Sequence, residues 1–309
     1  MSKEYLWVEK YRPKKIDDVI LSADLYKTFS TIVENGDVPN MLFSGTPGTG
    51  KTTVAKAICN ELDLDHIVIN GSEDGNIDTL RGKIRQFASS ISLQGGYKVV
   101  ILDEADYLNP QSTQPALRGF IEEFSDNCRF IFTCNFKNRI IEPLHSRCSV
   151  YDFNISKSEL QRLCSVFMAR LYMILDNEGV GYDQMALADL IMKYSPDWRR
   201  VLNECQRYSI SGHIDEGILS TVSDTNYQNL FSYLKDKDFK NMRKWVVENI
   251  DTDTSVIFRG IYDRMINNLE PHHIPQVILI LADYQYKNAF VADHELNVVA
   301  CMTEIMGTL

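Results

Sequence analysis

The chain lacks the features that would place it outside a reducing, aqueous setting. It has seven cysteines, at 59, 128, 134, 148, 164, 205 and 301, but no Cys-x-x-Cys pair. The count is odd, so neither a disulfide framework nor a zinc ribbon is indicated, and buried or free thiols are expected. Its longest apolar run, Val277 to Ala282, falls far short of the roughly 20 residues that cross a bilayer. The opening MSKEYLWVEKYRP is charged too early for a secretory leader. No low-complexity tract and no convincing internal repeat is found. Positive charge is also scarce: 32 Lys and Arg stand against 42 Asp and Glu, for a net charge of −10 and a pI of about 5.1. General polyanion binding is disfavoured, and any nucleic-acid contact must use a local basic surface. A soluble, cytoplasmic protein that touches no membrane is expected.

What is present is a rhythm. The 309 residues suggest two or three domains. Apolar strand-like runs at 41–44, 66–70, 97–102, 128–134 and 148–153 alternate with helical patterns at 51–63, 77–92 and 113–124. That is the βαβ pattern of a parallel sheet covered on both faces. From Ile155 onward only helices are read, at 157–178, 184–194 and 197–209. A polar, turn-rich stretch from Ser209 to Asn226 precedes a last helical region. Apolar sets such as Ile257, Ile261, Met265 and Ile274, Val277, Ile278, Leu281 recur there.

The run LFSGTPGTGKTTVAKAI, Leu42 to Ile58, contains Gly45-Thr-Pro-Gly-Thr-Gly-Lys51-Thr52 and fits G-x-x-x-x-G-K-[ST]. Gly45, Gly48 and Gly50 let the backbone turn tightly and approach an anion. Amides from Gly48 to Thr53, Thr49 and Gly50 among them, should cradle phosphates at the start of the helix that follows. Lys51 adds a point charge at the β and γ phosphates, and the Thr52 hydroxyl can hold Mg²⁺. ATP with Mg²⁺ is the expected ligand pair. The strand 97–102 runs into Asp103-Glu104. Asp103 can bind the metal directly or through water, and Glu104 can polarise an attacking water.

Three further sites are open on residue chemistry alone. Asn135 ends the strand 128–134, where it can hold the lytic water or the γ-phosphate, or simply open a turn. Arg147, in HSRC, is an ordinary exposed arginine or a finger reaching a neighbouring subunit's nucleotide. Arg199 and Arg200 sit at a helix start, where the macrodipole disfavours cations, which hints at an anion partner. Along 77–92, Ile77, Leu80, Ile84, Phe87 and Ile91 form a buried stripe. Arg81 and Arg85 share an adjacent face and Lys83 lies apart.

Taken in order, WVEKYRP (Trp7 to Pro13), the glycine-rich loop, DEAD (Asp103 to Asp106), FTCN ending at Asn135, SRC (Ser146 to Cys148) and PDWRRVLNE carry a resemblance. The chain resembles the clamp-loader ATPases of the AAA+ superfamily, both the small subunits of replication factor C and the large ATPase subunits of T-even bacteriophage loaders. The resemblance implies a P-loop AAA+ domain over 1–153, a helical lid over 154–223 and a helical collar over 224–309. It implies an ATP site that draws on Val8, Glu9, Lys10, Tyr11, Arg12, Pro13, Ile20 and Thr53, with Val8, Tyr11, Arg12, Pro13 and Ile20 bordering the adenine. Asn135 becomes sensor one, Arg199 the sensor-two arginine and Arg147 a finger acting in trans. Arg81, Lys83 and Arg85 become candidates for contact with DNA phosphates, which carries no sequence information. The implied partners are a sliding clamp, primer–template DNA, other copies of the chain and a smaller subunit in a five-membered ring.

The departures are specific. Pro196 stands where the family commonly has Gly, Arg118 is followed by Gly119 rather than a second arginine, and zinc-binding cysteines are absent. A helicase is a rival enzyme reading, prompted by the letters DEAD, but the chain holds one P-loop sheet rather than two. A non-catalytic assembly subunit is a third, but it would need a broken site, and Lys51, Thr52, Asp103, Glu104 and Arg147 are all in place.

Overall fold

A computed structural model of the chain describes residues 5–73, 77–90, 96–218, 227–250, 254–288 and 290–309. Ile91 and the second half of the polar stretch read over 209–226 lie outside these residues. The chain divides into two compact units, Met1–Leu219 and Ser220–Leu309.

The first unit is built on five parallel strands, β1 Met41–Ser44, β2 His66–Asn70, β3 Lys98–Asp103, β4 Cys128–Cys134 and β5 Ser149–Asp152, in the order β2-β3-β4-β1-β5. All five coincide with the apolar runs to within a residue at either end. Strands β1, β3 and β4 are apolar at nearly every position because both faces are covered. Met41, Phe43, Val99, Ile101 and Ile131 enter one core. Leu42, Val100, Leu102, Phe130 and Phe132 enter the other. On the first face pack α2 (Ala23–Asn35) and α3 (Lys51–Glu61); on the second pack α4 (Ile77–Ser89) and α5 (Thr113–Glu123). Phe29 of α2 is fully buried, its ring centroid 5.3 Å from Phe43 and 5.2 Å from Tyr151. Truncating a phenylalanine at such a place costs about 3–5 kcal/mol.

The register decides where chemistry can occur. Ser44 of β1 lies beside Cys134 of β4, and Leu102 of β3 beside Phe132 of β4. The C-terminal ends of these three strands therefore share one edge of the sheet. In open parallel sheets that edge is where ligands bind.

After the sheet the first unit carries α7 Lys157–Glu178, α8 Gln184–Tyr194 and α9 Trp198–Tyr208. A short helix, α1 (Trp7–Lys10), precedes the sheet, and another, α6 (Glu142–His145), precedes β5. The expectation of helices alone beyond Ile155 misses a parallel pair of two-residue strands, β6 Gly181–Tyr182 and β7 His213–Ile214. Two residues are too few to show a period of two.

Among the described residues the second unit holds five helices: α10 Tyr227–Lys235, α11 Phe239–Asn249, α12 Thr254–Asn268, α13 Ile274–Asn288 and α14 His294–Thr308. Its core holds Trp245, Ile257, Ile261, Met265, Val277, Leu281 and Met302, and so takes up most of both apolar sets read from the sequence. Among the described residues no helix is long and apolar enough to cross a membrane.

Candidate nucleotide site

At the shared strand edge the glycine-rich loop turns from β1 into α3. Gly48 has φ +77° there, and an added Cβ would fall 1.9 Å from Asp197 Oδ1, so the loop packs directly against Asp197 at the start of α9. Asp197 caps α9, accepting from the Arg200 amide at 3.1 Å. The carboxylate supplies the negative charge that a helix start favours, which offsets the two arginines read as misplaced there. Arg200 lies over the Tyr194 ring, 4.3 Å from its centroid. Arg199 is exposed and lines the cavity above the loop.

Lys51 is 8% exposed, and its Nζ donates to the carbonyls of Gly45 at 2.7 Å and Thr46 at 2.9 Å and to Asn135 Oδ1 at 2.9 Å. Burial lowers its pKa to about 8, against the pull of Asp103 and Asp106. Thr52 Oγ1 donates to Asp103 Oδ1 at 2.6 Å, and Thr133 Oγ1 donates to the same oxygen. A threonine hydroxyl beside a carboxylate, both hard oxygens, is a donor set that fits Mg²⁺. Glu104 follows with φ +55°, a conformation a non-glycine residue adopts at a cost. Its amide donates to Thr133 Oγ1 at 3.1 Å, and Gly71 leaves room for its carbonyl, which lies 2.6 Å from where a Cβ would be. Asp106 is buried and accepts from the amides of Asn135 at 3.2 Å and Phe136 at 3.1 Å, which holds the strand tip in place.

The cavity has two ends. One is polar and is lined by Pro47, Gly48, Gly50 to Thr53, Asp103, Glu104, Thr133 to Asn135 and Arg199. The other is more apolar and encloses about 640 Å³ including its open mouth. Val8, Tyr11, Arg12, Pro13, Val19 and Ile20 line it from the N-terminal segment; Phe167, Arg170, Trp198 and Leu202 line it from α7 and α9. Thr49, Gly50 and Thr53 border it from the loop, and Arg199 lies at both ends. Trp198 stacks on Phe167, centroids 4.8 Å apart.

Most of the residues singled out in the sequence thus meet in one place. Glu9 and Lys10 face elsewhere: Glu9 pairs with Arg12, and Lys10 with Glu178 at 2.5 Å. Arg147 lines neither end; its Nε donates to Glu122 Oε1 at 2.9 Å and its Nη1 to the Pro143 carbonyl at 3.0 Å. Arg81, Lys83 and Arg85 are exposed on α4, away from the cavity, and Arg85 stands 3.7 Å from Glu123. Gln114, which the sequence did not flag, is fully buried. Its amide donates to the carbonyls of Leu108 at 3.0 Å and Arg139 at 2.9 Å, and its oxygen accepts from the Ile141 amide at 2.9 Å. It links the segment after Glu104 to the one that leads to Arg147.

Comparison with known proteins then decides the family. Residues 41–155 match the ATPase family associated with various cellular activities, and residues 161–220 match the AAA+ ATPase lid domain of sliding-clamp-loader large subunits. The chain is 40% identical to the sliding-clamp-loader large subunit of Escherichia phage RB69 over 78% of its own length and 77% of that protein. It is 35% identical to that of Enterobacteria phage T4 over 96% and 93%. The chain belongs to the clamp-loader AAA ATPases. A replication factor C small subunit from Archaeoglobus fulgidus is 37% identical over 72% of this chain and 68% of that protein. The fold alone is shared with the Holliday junction branch migration motor RuvB of Thermotoga maritima, at TM-score 0.50 and 20% identity over 68% and 71% of the two chains. This clamp-loader ATPase accordingly binds and hydrolyses a nucleotide. Phe167 and Arg170, which line the apolar end of the cavity, were not singled out in the sequence, and Trp198 and Leu202 appeared there only as letters of PDWRRVLNE; all four come from helices more than 100 residues beyond the glycine-rich loop.

Proposed function

We propose that the chain is the ATP-hydrolysing subunit of a machine that opens a ring-shaped polymerase clamp and closes it on primer–template DNA. Several copies would work beside a smaller partner in a five-membered ring, in the cytoplasm of the host cell. The observation that carries this reading is the single cavity in which Lys51, Thr52, Asp103, Glu104 and Asn135 from the sheet edge face Arg199 from α9. The adenine takes the apolar end, between Val8 to Pro13 and Ile20 on one side and Trp198 on the other, and the phosphates take the loop. Lys51 exchanges its bonds to Gly45, Thr46 and Asn135 for bonds to phosphate oxygens. Thr52 and Asp103 hold Mg²⁺, which neutralises charge on the phosphates when bound. Glu104 polarises the attacking water and Asn135 helps to orient it.

Arg147 completes the site of a neighbouring copy. Its guanidinium lines neither end of its own chain's cavity, which supports action across an interface. Arginine fingers are worth about 10³–10⁵ in rate in other phosphoryl-transfer systems. The division of labour follows the chain: residues 1–153 hold the ATPase site, 154–223 the lid, and 224–309 the collar that joins subunits. Exposed Leu279, Tyr286, Phe290 and Leu296 on and around α13 and α14 support the last assignment.

Steady-state ATPase with and without clamp and primed DNA tests the reading. Full rate should need both. A helicase would need nucleic acid alone, and a scaffold would hydrolyse nothing. Mixing Arg147→Ala subunits with Lys51→Ala subunits should restore part of the rate each lacks alone. No recovery in a confirmed assembly would count against the trans role.

A further inference from the structure

Residues Tyr11 to Asp18 form a loop that leaves α1 and ends in the turn Ile16–Asp18. Its outer side is tied to α3. The Ile16 amide donates to Glu61 Oε2 at 2.8 Å, and Arg12 Nη1 donates to Thr53 Oγ1 at 3.2 Å. Its inner side is tied to α7. The Tyr11 hydroxyl donates to Glu178 Oε1 at 2.6 Å, and Arg170 reaches both ends of the loop at once. Arg170 Nη1 donates to the Asp18 carbonyl at 2.5 Å and Nη2 to the Tyr11 carbonyl at 3.0 Å.

Both acceptors are neutral main-chain oxygens. The guanidinium is half-buried; burial pulls its pKa down from the ordinary arginine value, and the charge of the nearby Asp18 carboxylate acts the other way. Both of its hydrogen bonds go to the main chain at the two ends of the loop, so the fork fixes a geometry. The geometry is the spacing between Tyr11 and Asp18, and both residues line the apolar end of the cavity, as Arg170 itself does. None of the three lines the phosphate end.

We propose that Arg170 is a positioning residue for the base of the nucleotide. By holding the two ends of the loop at a fixed separation, it sets the width of the slot between Arg12–Pro13 and Val19–Ile20 into which a flat purine fits. The inference rests on the reading that the base occupies this end of the cavity. Lysine is not a substitute. Its ammonium is one point donor on a flexible stem, whereas the guanidinium is a planar fork whose donors are already spread to reach two acceptors.

The loss on substitution should therefore fall on the base and spare the phosphates. Isothermal titration of the full chain in Mg²⁺ would compare ATP with inorganic tripolyphosphate. Arg170→Lys should weaken ATP about tenfold, the worth of one hydrogen bond to a charged group. Tripolyphosphate binding should not change. In turnover, KM for ATP should rise while kcat at saturation holds. Equal weakening of both ligands, or of neither, overturns the assignment, the first because it marks a merely structural residue. Lys51→Ala separates the two layers of inference, because it should lose both ligands. If Lys51→Ala binds ATP like the parent, the reading of the cavity as a nucleotide site fails. If it behaves as expected and Arg170→Lys does not, only the role of Arg170 fails.

Discussion

Raising the pH from 7 to 9 should loosen ATP binding through Lys51 alone. Burial among two carbonyls and Asn135 brings the Lys51 pKa from 10.5 to about 8. A triphosphate beside the ammonium favours the charged form and returns the pKa to the ordinary range or above. Binding must then take up a proton at any pH above about 8. At pH 7 about nine in ten lysines already carry it; at pH 9 about one in ten do, so affinity should fall about tenfold, or ~1.4 kcal/mol. Titration calorimetry in buffers of different ionisation enthalpy would read both the affinity and the proton taken up. Lys51→Arg, whose guanidinium stays charged throughout, should bind with no such slope. A flat profile in the parent, or an equal slope in Lys51→Arg, would refute the reasoning. The same shift acts on folding with a definite sign. The unfolded lysine keeps its proton up to about 10.5 and the folded one only to about 8. The unfolded state thus binds more protons between those values. Stability from this group rises with pH across that window, and below it the cost of the buried charge is fully present.

Glu104→Gln keeps the shape of the side chain and loses its base. It should bind ATP, hold the clamp and stall, and a normal hydrolysis rate would show the base to be elsewhere. Gln114→Ala removes the partner of the buried Leu108 carbonyl and of the part-buried Arg139 carbonyl and Ile141 amide. Each such group costs about 1–3 kcal/mol, so the denaturant midpoint should drop markedly, whereas a shift within error would mean that water replaces the side chain. Arg81→Ala with Arg85→Ala should weaken primed-DNA binding alike for all sequences and flatten the log–log salt slope by about 0.9 for each phosphate no longer neutralised. Arg85 is partly engaged with Glu123, so Arg81 should carry more of the effect.

The sheet was legible because a parallel strand covered on both faces must be apolar throughout. MLFS, VVIL and FIFTC could hardly have been anything else once glycines and helical patterns flanked them. The convergence of residues at the polar end of the cavity was legible for a related reason. Its chemistry is local, set by a loop, a strand end and a strand tip that the sheet brings to one edge. The lining of the apolar end was not. Val8, Tyr11 and Pro13 entered only through resemblance, Trp198 only as one letter of PDWRRVLNE with no role given to it, and Arg170 not at all. Their common feature is convergence from α1, α7 and α9, which no spacing along the chain encodes. Gln114 escaped for another reason. A glutamine in an amphipathic helix reads as solvent-facing until the carbonyls of Leu108 and Arg139 are seen to need its amide. Arg147 was read as a choice between a plain surface residue and a finger, and its bonds to Glu122 and Pro143 account for its resting position alone.

The most direct test of the central claim is to follow the ring itself. Labelled clamp, primed circular DNA and the chain assembled with its smaller partner would be combined with ATP, and DNA-bound clamp separated from free clamp by gel filtration. The account predicts that clamp travels with the DNA only when ATP and an intact Lys51 are both present. It also predicts that the clamp leaves when the circle is cut. Clamp retained without ATP, or never retained while the chain hydrolyses ATP at full rate, would contradict it.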